Sequence, residues 1–261
     1  MQESDKRSWL ICIDDTDDIG TKGTGEIAEE IATLLLDSTE MCHPYVTRHQ
    51  LFIHPDIPYT SHNSAMCFEL VSKKSLAEIK SIAVDHLLSQ SAAASDPGLA
   101  ILDLSASYDK QALIEFGLQA KFEVKIKQDA YDLADRLGIS LSEHGGTGQG
   151  VIGAIAGIGL RLNGRDGRVK GQINLCGNDS DLNPFTRERV ESGIDISVAD
   201  FLRRSKLDCV VSISGELLMP DECMFISGKI KAVYWQHQFA LLVYSNNGRW
   251  CNALKQHLKE Y

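Results

Sequence analysis

Four carboxylates stand together in the stretch Asp14-Asp15-Thr16-Asp17-Asp18, directly after the apolar run Leu10-Ile11-Cys12-Ile13. Oxygen ligands at that density suit Mg²⁺, which takes one or two carboxylates and completes its shell with phosphate oxygens and water. Without a cation, carboxylates this close repel one another. Side chains alternate along a strand, so Asp15 and Asp17 share one face if the extended geometry persists, with Asp14 on the other. Asp14, Asp15 and Asp17 are the candidate metal ligands. Asp15, at the strand's end, is also the candidate catalytic residue, assigned the closest metal contact. A solvated acidic turn is the competing reading of the same residues.

A second stretch that can do chemistry is His144-Gly145-Gly146-Thr147-Gly148-Gln149-Gly150. Backbone N–H groups of such loops can cradle phosphate, which makes Gly145, Gly146, Gly148 and Gly150 candidate nucleotide contacts. The stretch is not a Walker loop, since no Gly-Lys-Ser/Thr follows, and no GxGxxG opens a clean βαβ unit. His62-Asn63, just past a proline turn, are further candidate ligand contacts. An aspartyl phosphatase would need Thr or Val where Ile19 stands in Asp15-Thr16-Asp17-Asp18-Ile19. The histidines at 43, 49, 54 and 62 match no metal-binding spacing. Arg161, Arg165, Arg168 and Lys170 surround a turn at Asn163-Gly164. They can clamp a polyphosphate or an RNA backbone, although a solvated hairpin is the commoner use of such a cluster.

The elements that must position these residues follow from periodicity. Leu10–Ile13 reads as a buried strand. A loop with Gly20, Gly23 and Gly25 leads to a helix with Ile27, Ile31, Leu34 and Leu35 on one stripe. Thr24 stands at the start of that helix, where an N-cap is expected. An extended segment at 42–55, a strand at 64–71, a helix at 76–88 and a strand at 99–104 complete the order β-α-β-β-α-β by residue 105, which is the ferredoxin-like order. Asp96-Pro97-Gly98 reads as a turn. A helix at 110–116, an alternating strand at Lys121–Lys127 with Phe122, Val124 and Ile126 inward, and a helix at 128–137 come next. The helix at 151–162 carries Gly153 and Gly157 as a face for close packing. Strands are expected at 209–218, 222–233 and 238–244, and a closing helix at 250–258. The polar stretch Asn178–Asn183 reads as a linker. Two domains follow, 1–175 and 176–261, in an α/β (α+β) architecture.

Bulk composition narrows the function classes. The chain has 261 residues, 43% of them hydrophobic and 24% charged, which is ordinary for a globular protein. A net charge of −10 disfavours broad nucleic-acid binding, while leaving room for a local basic patch. The seven cysteines include no CxxC pair, so a zinc ribbon is not expected. Their odd number and the lack of a signal peptide point to reduced thiols in the cytoplasm. No apolar run is long enough for a membrane span.

Four blocks in order resemble one family. Ile13-Asp14-Asp15-Thr16-Asp17 resembles the IDDTD signature of the archaeal tRNA 2-agmatinylcytidine synthetases, which act on an isoleucine tRNA. Ile57-Pro58-Tyr59 through His62-Asn63-Ser64-Ala65 resembles their proline turn before a strand. Asp96-Pro97-Gly98 resembles their Asn-Pro-Gly, and 148–159 their glycine-started helix. The resemblance implies a kinase-like domain that uses ATP and Mg²⁺ to activate a tRNA cytidine for displacement by agmatine, beside a ferredoxin-like domain. It implies metal-binding roles for Asp14, Asp15 and Asp17. It also makes Thr24 a candidate catalytic residue, at the spacing of a threonine that the family phosphorylates. The departures are Asp18 in place of a serine, Gly23 and Gly25 around Thr24, and no cysteine pairs or room for the family's ribbon and OB-fold. The reading is therefore a Mg²⁺-dependent, ATP-using phosphotransferase or ligase-like enzyme. Its acceptor is expected to be a small molecule or nucleotide, with tRNA as a possible partner. A non-catalytic nucleotide- or RNA-binding protein is the rival.

Overall fold

The computed structural model describes residues 6–36, 44–57, 62–173, 175, 192–259 and 261. The expected linker at 178–183 and the Pro58-Tyr59 turn lie outside the described residues, as do Cys42 and Cys176. The chain forms two compact units, 1–163 and 164–261; the sequence pattern puts the division at 175.

The first unit is built on β1 (Arg7–Asp14), whose last six residues are buried. It lies between β3 (Ser64–Ser72) and β4 (Gly98–Asp103), antiparallel to both, with Cys12 opposite Cys67 on one side and Ala100 on the other. β2 (Thr47–Gln50) pairs with β3, and β5 (Ser140–Glu143) with β4. The order β4-β1-β3-β2 within β-α-β-β-α-β is the ferredoxin-like sheet, extended here by β5.

Alternation along β1 sorts its side chains onto two helical layers. Trp9, Ile11 and Ile13 pack with Ile27, Ile31 and Leu35 of α1 (Thr24–Leu35) and with Ile79, Ala83 and Leu87 of α2 (Leu76–Gln90). Leu10 and Cys12 pack on the other side. That layer is α3 (Lys110–Gln119), α4 (Lys127–Leu137) and α5 (Gly150–Asn163). Ser75 and Glu78 close a reciprocal cap at the start of α2. Leu34 faces outward rather than joining the stripe.

The strand expected at 209–218 ends at Ser212, the one expected at 222–233 is two, Cys223–Ile226 and Ala232–Trp235, and two further segments change type. Lys121–Lys127 is not a strand, although its alternation is clear. The amides of Phe122 and Glu123 donate to Gln119 O at 2.9 Å each and wind the segment into the end of α3. The edge of β4 away from β1 is taken by β5. Phe122, Val124 and Ile126, expected inward, are 65%, 44% and 59% exposed. The closing helix at 250–258 is instead β12 (Arg249–Asn252) followed by a short 3₁₀ turn, Lys255–Leu258. Tertiary pairing of β12 with two neighbours overrode its helical spacing.

The second unit is mostly β. Its strands run in the order β6 (Arg168–Val169), β10 (Ala232–Trp235), β11 (Gln238–Asn246), β12, β9 (Cys223–Ile226), β7 (Ile194–Ser197). β8 (Cys209–Ser212) runs parallel to β11. The helix α6 (Val198–Ser205) is capped by Ser197, whose Oγ accepts from Asp200 N at 3.2 Å. Cys209, Val211, Val233, Ala240, Leu242 and Leu258 form a core.

The glycine face of α5 is a packing device. A Cβ on Gly159 would collide with the carbonyl of Leu113 in α3, and one on Gly157 with the Cys12 thiol of β1. A backbone carbonyl cannot yield as a flexible side chain can. Gly159→Ala is therefore expected to lower unfolding stability by about 1–3 kcal/mol. Gly23→Ala, with open space around its Cβ, is expected to cost less, about 0.5–1 kcal/mol, for the poorer helix cap alone. Urea denaturation of both variants checks the contrast.

Candidate functional site

The acidic residues leave β1 through a backbone reversal. Asp15 has φ +53°, in the left-handed region that aspartate tolerates better than most residues. The next residues are held from two sides. Ala92 N donates to Thr16 O at 2.9 Å. Asp18 and Thr21 close a turn, with Asp18 N donating to Thr21 Oγ1 at 2.7 Å and Thr21 Oγ1 to Asp18 O at 2.8 Å. Lys22 then anchors the end of the loop, donating to Glu30 at 2.7 and 2.9 Å and to Gln90 at 2.7 Å.

This path separates the carboxylates. Asp14 continues the strand alternation and turns toward α5, where its carboxylate fills the space that a Cβ on Gly153 would need. It is 8% exposed, and burial, with the charge of Asp15 beside it, pushes its pKa up to about 8. Asp15 is raised to about 6, first by burial and then by the charges of Asp96 and Asp17. Asp17 accepts a hydrogen bond from Thr24 Oγ1 at 2.9 Å. Thr24 is thus not the cap of α1. Gly23 holds that position, and Thr24 is the first helical residue, its hydroxyl turned back to the acidic loop.

The residue that sequence reasoning passed over is Asp96. It reads as part of a turn and of a block resembling the family's Asn-Pro-Gly, with no site role, yet it joins the two candidate stretches. Its carboxylate accepts from Thr147 N at 2.7 Å, from Gln149 N at 3.3 Å and from the Thr147 hydroxyl. Burial works against its charge, but the Thr147 hydroxyl, these two amides and nearby Lys127 outweigh it and hold the pKa below the ordinary carboxylate value. Lys127 binds the loop from the far side, donating to Thr147 O at 2.7 Å and to Glu143 at 2.6 Å.

The glycine loop is consequently a rigid structure with several amides already engaged. Gly148 N donates to Gly145 O at 3.2 Å, and Gly150 N to Asp96 O at 3.1 Å. Gly146 and Gly148 have φ +53° and +73°, and a Cβ on either would collide with a carboxylate, Asp96 or Glu143. Gly150 and Gly98 approach each other so closely that neither can carry a side chain. His62 is exposed and stands at the start of β3. Asn63 is a structural pin: its Nδ2 donates to Phe52 O at 2.6 Å, and its carbonyl accepts from Leu51 N at 2.8 Å and Gln50 Nε2 at 2.7 Å. Of the basic cluster, Arg161 is not solvated. It is buried in the first unit and donates to Thr47 Oγ1 at 3.1 Å. Arg165, Arg168 and Lys170 belong to the second unit, where Arg168 donates to Tyr261 O at 2.9 Å.

Among the described residues, no group of three or more His, Cys, Asp or Glu side chains is arranged to hold a metal ion by itself. The donor chemistry fits Mg²⁺ in its other mode. Asp15 and Asp17 supply one or two carboxylates in a mutually repelling set, and phosphate oxygens and water complete such a shell.

No family model matches the chain, and no curated protein matches it. Solved structures similar to it include a complex of TiaS with an isoleucine tRNA and ATP, 22% identical, TM-score 0.49, covering 59% of this chain and 36% of that one. A tRNA fluorescent labeling enzyme is 22% identical, TM-score 0.49, covering 58% and 36%. Apo TiaS, a tRNA agmatidine synthetase, is 21% identical, TM-score 0.47, covering 58% and 35%. This chain thus spans well under two thirds of the length of each. Among its own described residues, no helix is long and apolar enough to cross a membrane.

Asp96 can be tested as the tie between the two stretches. Asp96→Ala removes the acceptor for two loop amides and a hydroxyl. It is expected to cost about 1–2 kcal/mol of stability and to raise hydrogen exchange at Thr147 and Gln149. Unchanged protection of those two amides would contradict the assigned role.

Proposed function

We propose that the chain is a Mg²⁺-dependent, ATP-using phosphotransferase or ligase-like enzyme whose nucleotide lies between the acidic loop and the glycine loop. The observation that carries this reading is the meeting of Asp15 and Asp17 with Asp96, which itself grips the loop at residues 145–150. Asp15, whose pKa is raised by burial and then by the charges of Asp96 and Asp17, is poised to take a divalent cation, because binding removes the repulsion. Mg²⁺ held there would offset charge on the phosphates. The four sequence blocks resembling the tRNA 2-agmatinylcytidine synthetases support the same reading.

The residues divide the work. Asp15 and Asp17 hold the metal, and Asp14 stands behind them, its carboxyl protonated in the unliganded protein up to about pH 8. Thr24 orients Asp17 through its 2.9 Å hydrogen bond. Its hydroxyl, held on Asp17, is the candidate catalytic hydroxyl. Asp96 fixes the glycine loop, whose backbone donors at Gly145 and Gly146 are assigned to the phosphates. His62 and Asn63 are assigned to the rim, with Asn63 acting through the backbone it pins. The acceptor is a small molecule or a nucleotide, and tRNA is the alternative acceptor.

Two measurements test this. ATP with Mg²⁺ is expected to raise the melting temperature, and ATP with EDTA much less, because a ligand stabilises the state it binds. Equal shifts would remove the metal from the reading. Asp15→Asn keeps the side chain's size and is expected to reduce ATP turnover by a factor on the order of 10² while leaving the protein folded. Turnover assays with bulk tRNA and with a metabolite extract distinguish the two acceptor classes. Equal turnover by wild type and variant would place the chemistry elsewhere.

A further inference from the structure

The basic cluster visible in the sequence is divided by the fold, and its part in the second unit gains two members. β6 runs antiparallel to β10, with Arg168 opposite Val233. Lys170 stands two residues after Arg168, and Lys231 two residues before Val233. Lys229, which is exposed, leads into the same strand. The pairing continues past the strand ends, where Ile173 N donates to Ile230 O at 2.9 Å. Lys231 Nζ donates to Gly171 O, and Arg168 Nε to Tyr261 O at 2.9 Å. Sequence spacing grouped Arg168 and Lys170 with Arg161, which is buried in the first unit. The pairing of β6 with β10 instead joins them to Lys229 and Lys231, which lie far along the chain.

Cations held this close repel one another unless an anion offsets them. Burial, and then the charges of Lys229, Arg168 and Lys170, lower the pKa of Lys231. Asp166, a buried carboxylate, faces Arg168 and offsets part of the charge. Other carboxylates of the unit are engaged elsewhere. Asp195 is bound to Arg249, and Asp200 to Arg203 and Arg204. Asp208 accepts from Phe239 N at 2.7 Å, and Glu222 from Met219 N at 2.6 Å and from Trp250 Nε1 at 3.1 Å. A chain of net charge −10 thus concentrates positive charge along one strand pair.

We propose that Arg168, Lys170, Lys229 and Lys231 form an anion site in the second unit for a small compound carrying several phosphate groups. Lysine ammonium groups act on phosphate as point charges, and the guanidinium adds a planar fork of donors. The overall charge favours a compact anion over a nucleic acid. Attraction to the cluster fades over a screening length of about 8 Å. A compact anion therefore meets the cluster alone, whereas a long polyanion also meets the acidic remainder of the surface. The site is independent of the ATP chemistry proposed for the first unit.

Isothermal titration calorimetry of the full chain with sodium tripolyphosphate is the test, in EDTA and at about 50 mM salt to limit screening. EDTA keeps the metal-dependent site out of the measurement, and Asp15→Asn is expected to bind as the wild type does. Lys170→Gln and Lys231→Gln are each expected to weaken binding at least about fivefold, the loss of a charge-assisted contact. Lys229→Gln, at an exposed position, is expected to weaken it about threefold, and Lys73→Gln, exposed in the first unit, not to change it. Tripolyphosphate is also expected to raise the melting temperature of the wild type more than that of Lys231→Gln. No binding, or binding that none of the three substitutions in the cluster weakens, overturns the site. Loss of binding in Asp15→Asn overturns it too, by placing the anion in the first unit. A single-stranded RNA of about twelve nucleotides bound about tenfold tighter than tripolyphosphate, with the same dependence on Lys170 and Lys231, overturns the ligand class in favour of a nucleic acid.

Discussion

The close approach of α5 to the centre of the sheet is the constraint on which the first unit depends. α5 meets β1 and β4 with glycine at each crossing: Gly150 against Gly98 of β4, and Gly153 against Asp14 and Gly157 against Cys12 of β1. Helices usually stand off a sheet by the width of their side chains. Here that layer is missing along one face, so the loop that opens α5 is brought down to the ends of β1 and β4. The acidic residues after β1 and the glycine loop before α5 are thereby neighbours, although about 130 residues separate them in sequence.

Asp96 turns that proximity into a fixed geometry. It is anchored by Thr147 and Gln149, and its charge in turn helps to raise Asp15. Charge is thus concentrated where the backbone is most constrained. Burial keeps Asp14 neutral behind Asp15, which limits the repulsion that four clustered ionised carboxylates would otherwise create. The same burial that stabilises the fold by excluding water from β1 sets the protonation of the site at its end.

The two helical layers have different tasks. α1 and α2 bury aliphatic side chains of ordinary size, each contributing about 1.5–3 kcal/mol of transfer free energy, and through Lys22, Glu30 and His86 they also hold the end of the acidic loop. The layer of α3, α4 and α5 depends on small residues for its close packing. It leaves a groove between α3 and α4 and an apolar ridge beside it. Loss of one turn of the alternating segment at 121–127 to the end of α3 is what left that ridge outside the sheet.

Much of the first unit was legible from local pattern. The apolar run before Asp14, the stripe of Ile27, Ile31 and Leu35 and the small-residue spacing of Gly153 and Gly157 each express a local rule of periodicity or steric size. Together they determine the order β-α-β-β-α-β and mark the two candidate stretches, the acidic one and the glycine-rich one. What only the tertiary structure decided depends on partners distant in sequence. The 121–127 segment alternates like a strand, but the amides of Phe122 and Glu123 bond back to Gln119 at the end of α3. Residues 250–258 have helical spacing, but β9 and β11 offered hydrogen-bonding partners that override it. Thr24 reads as a cap and instead donates to Asp17, because the path of the loop after Asp15 is set by contacts with Ala92 and Gln90. Asp96 reads as a turn residue until the chain returns at Thr147. A sequence displays the donors and acceptors of each segment, and only the folded chain decides which of them meet.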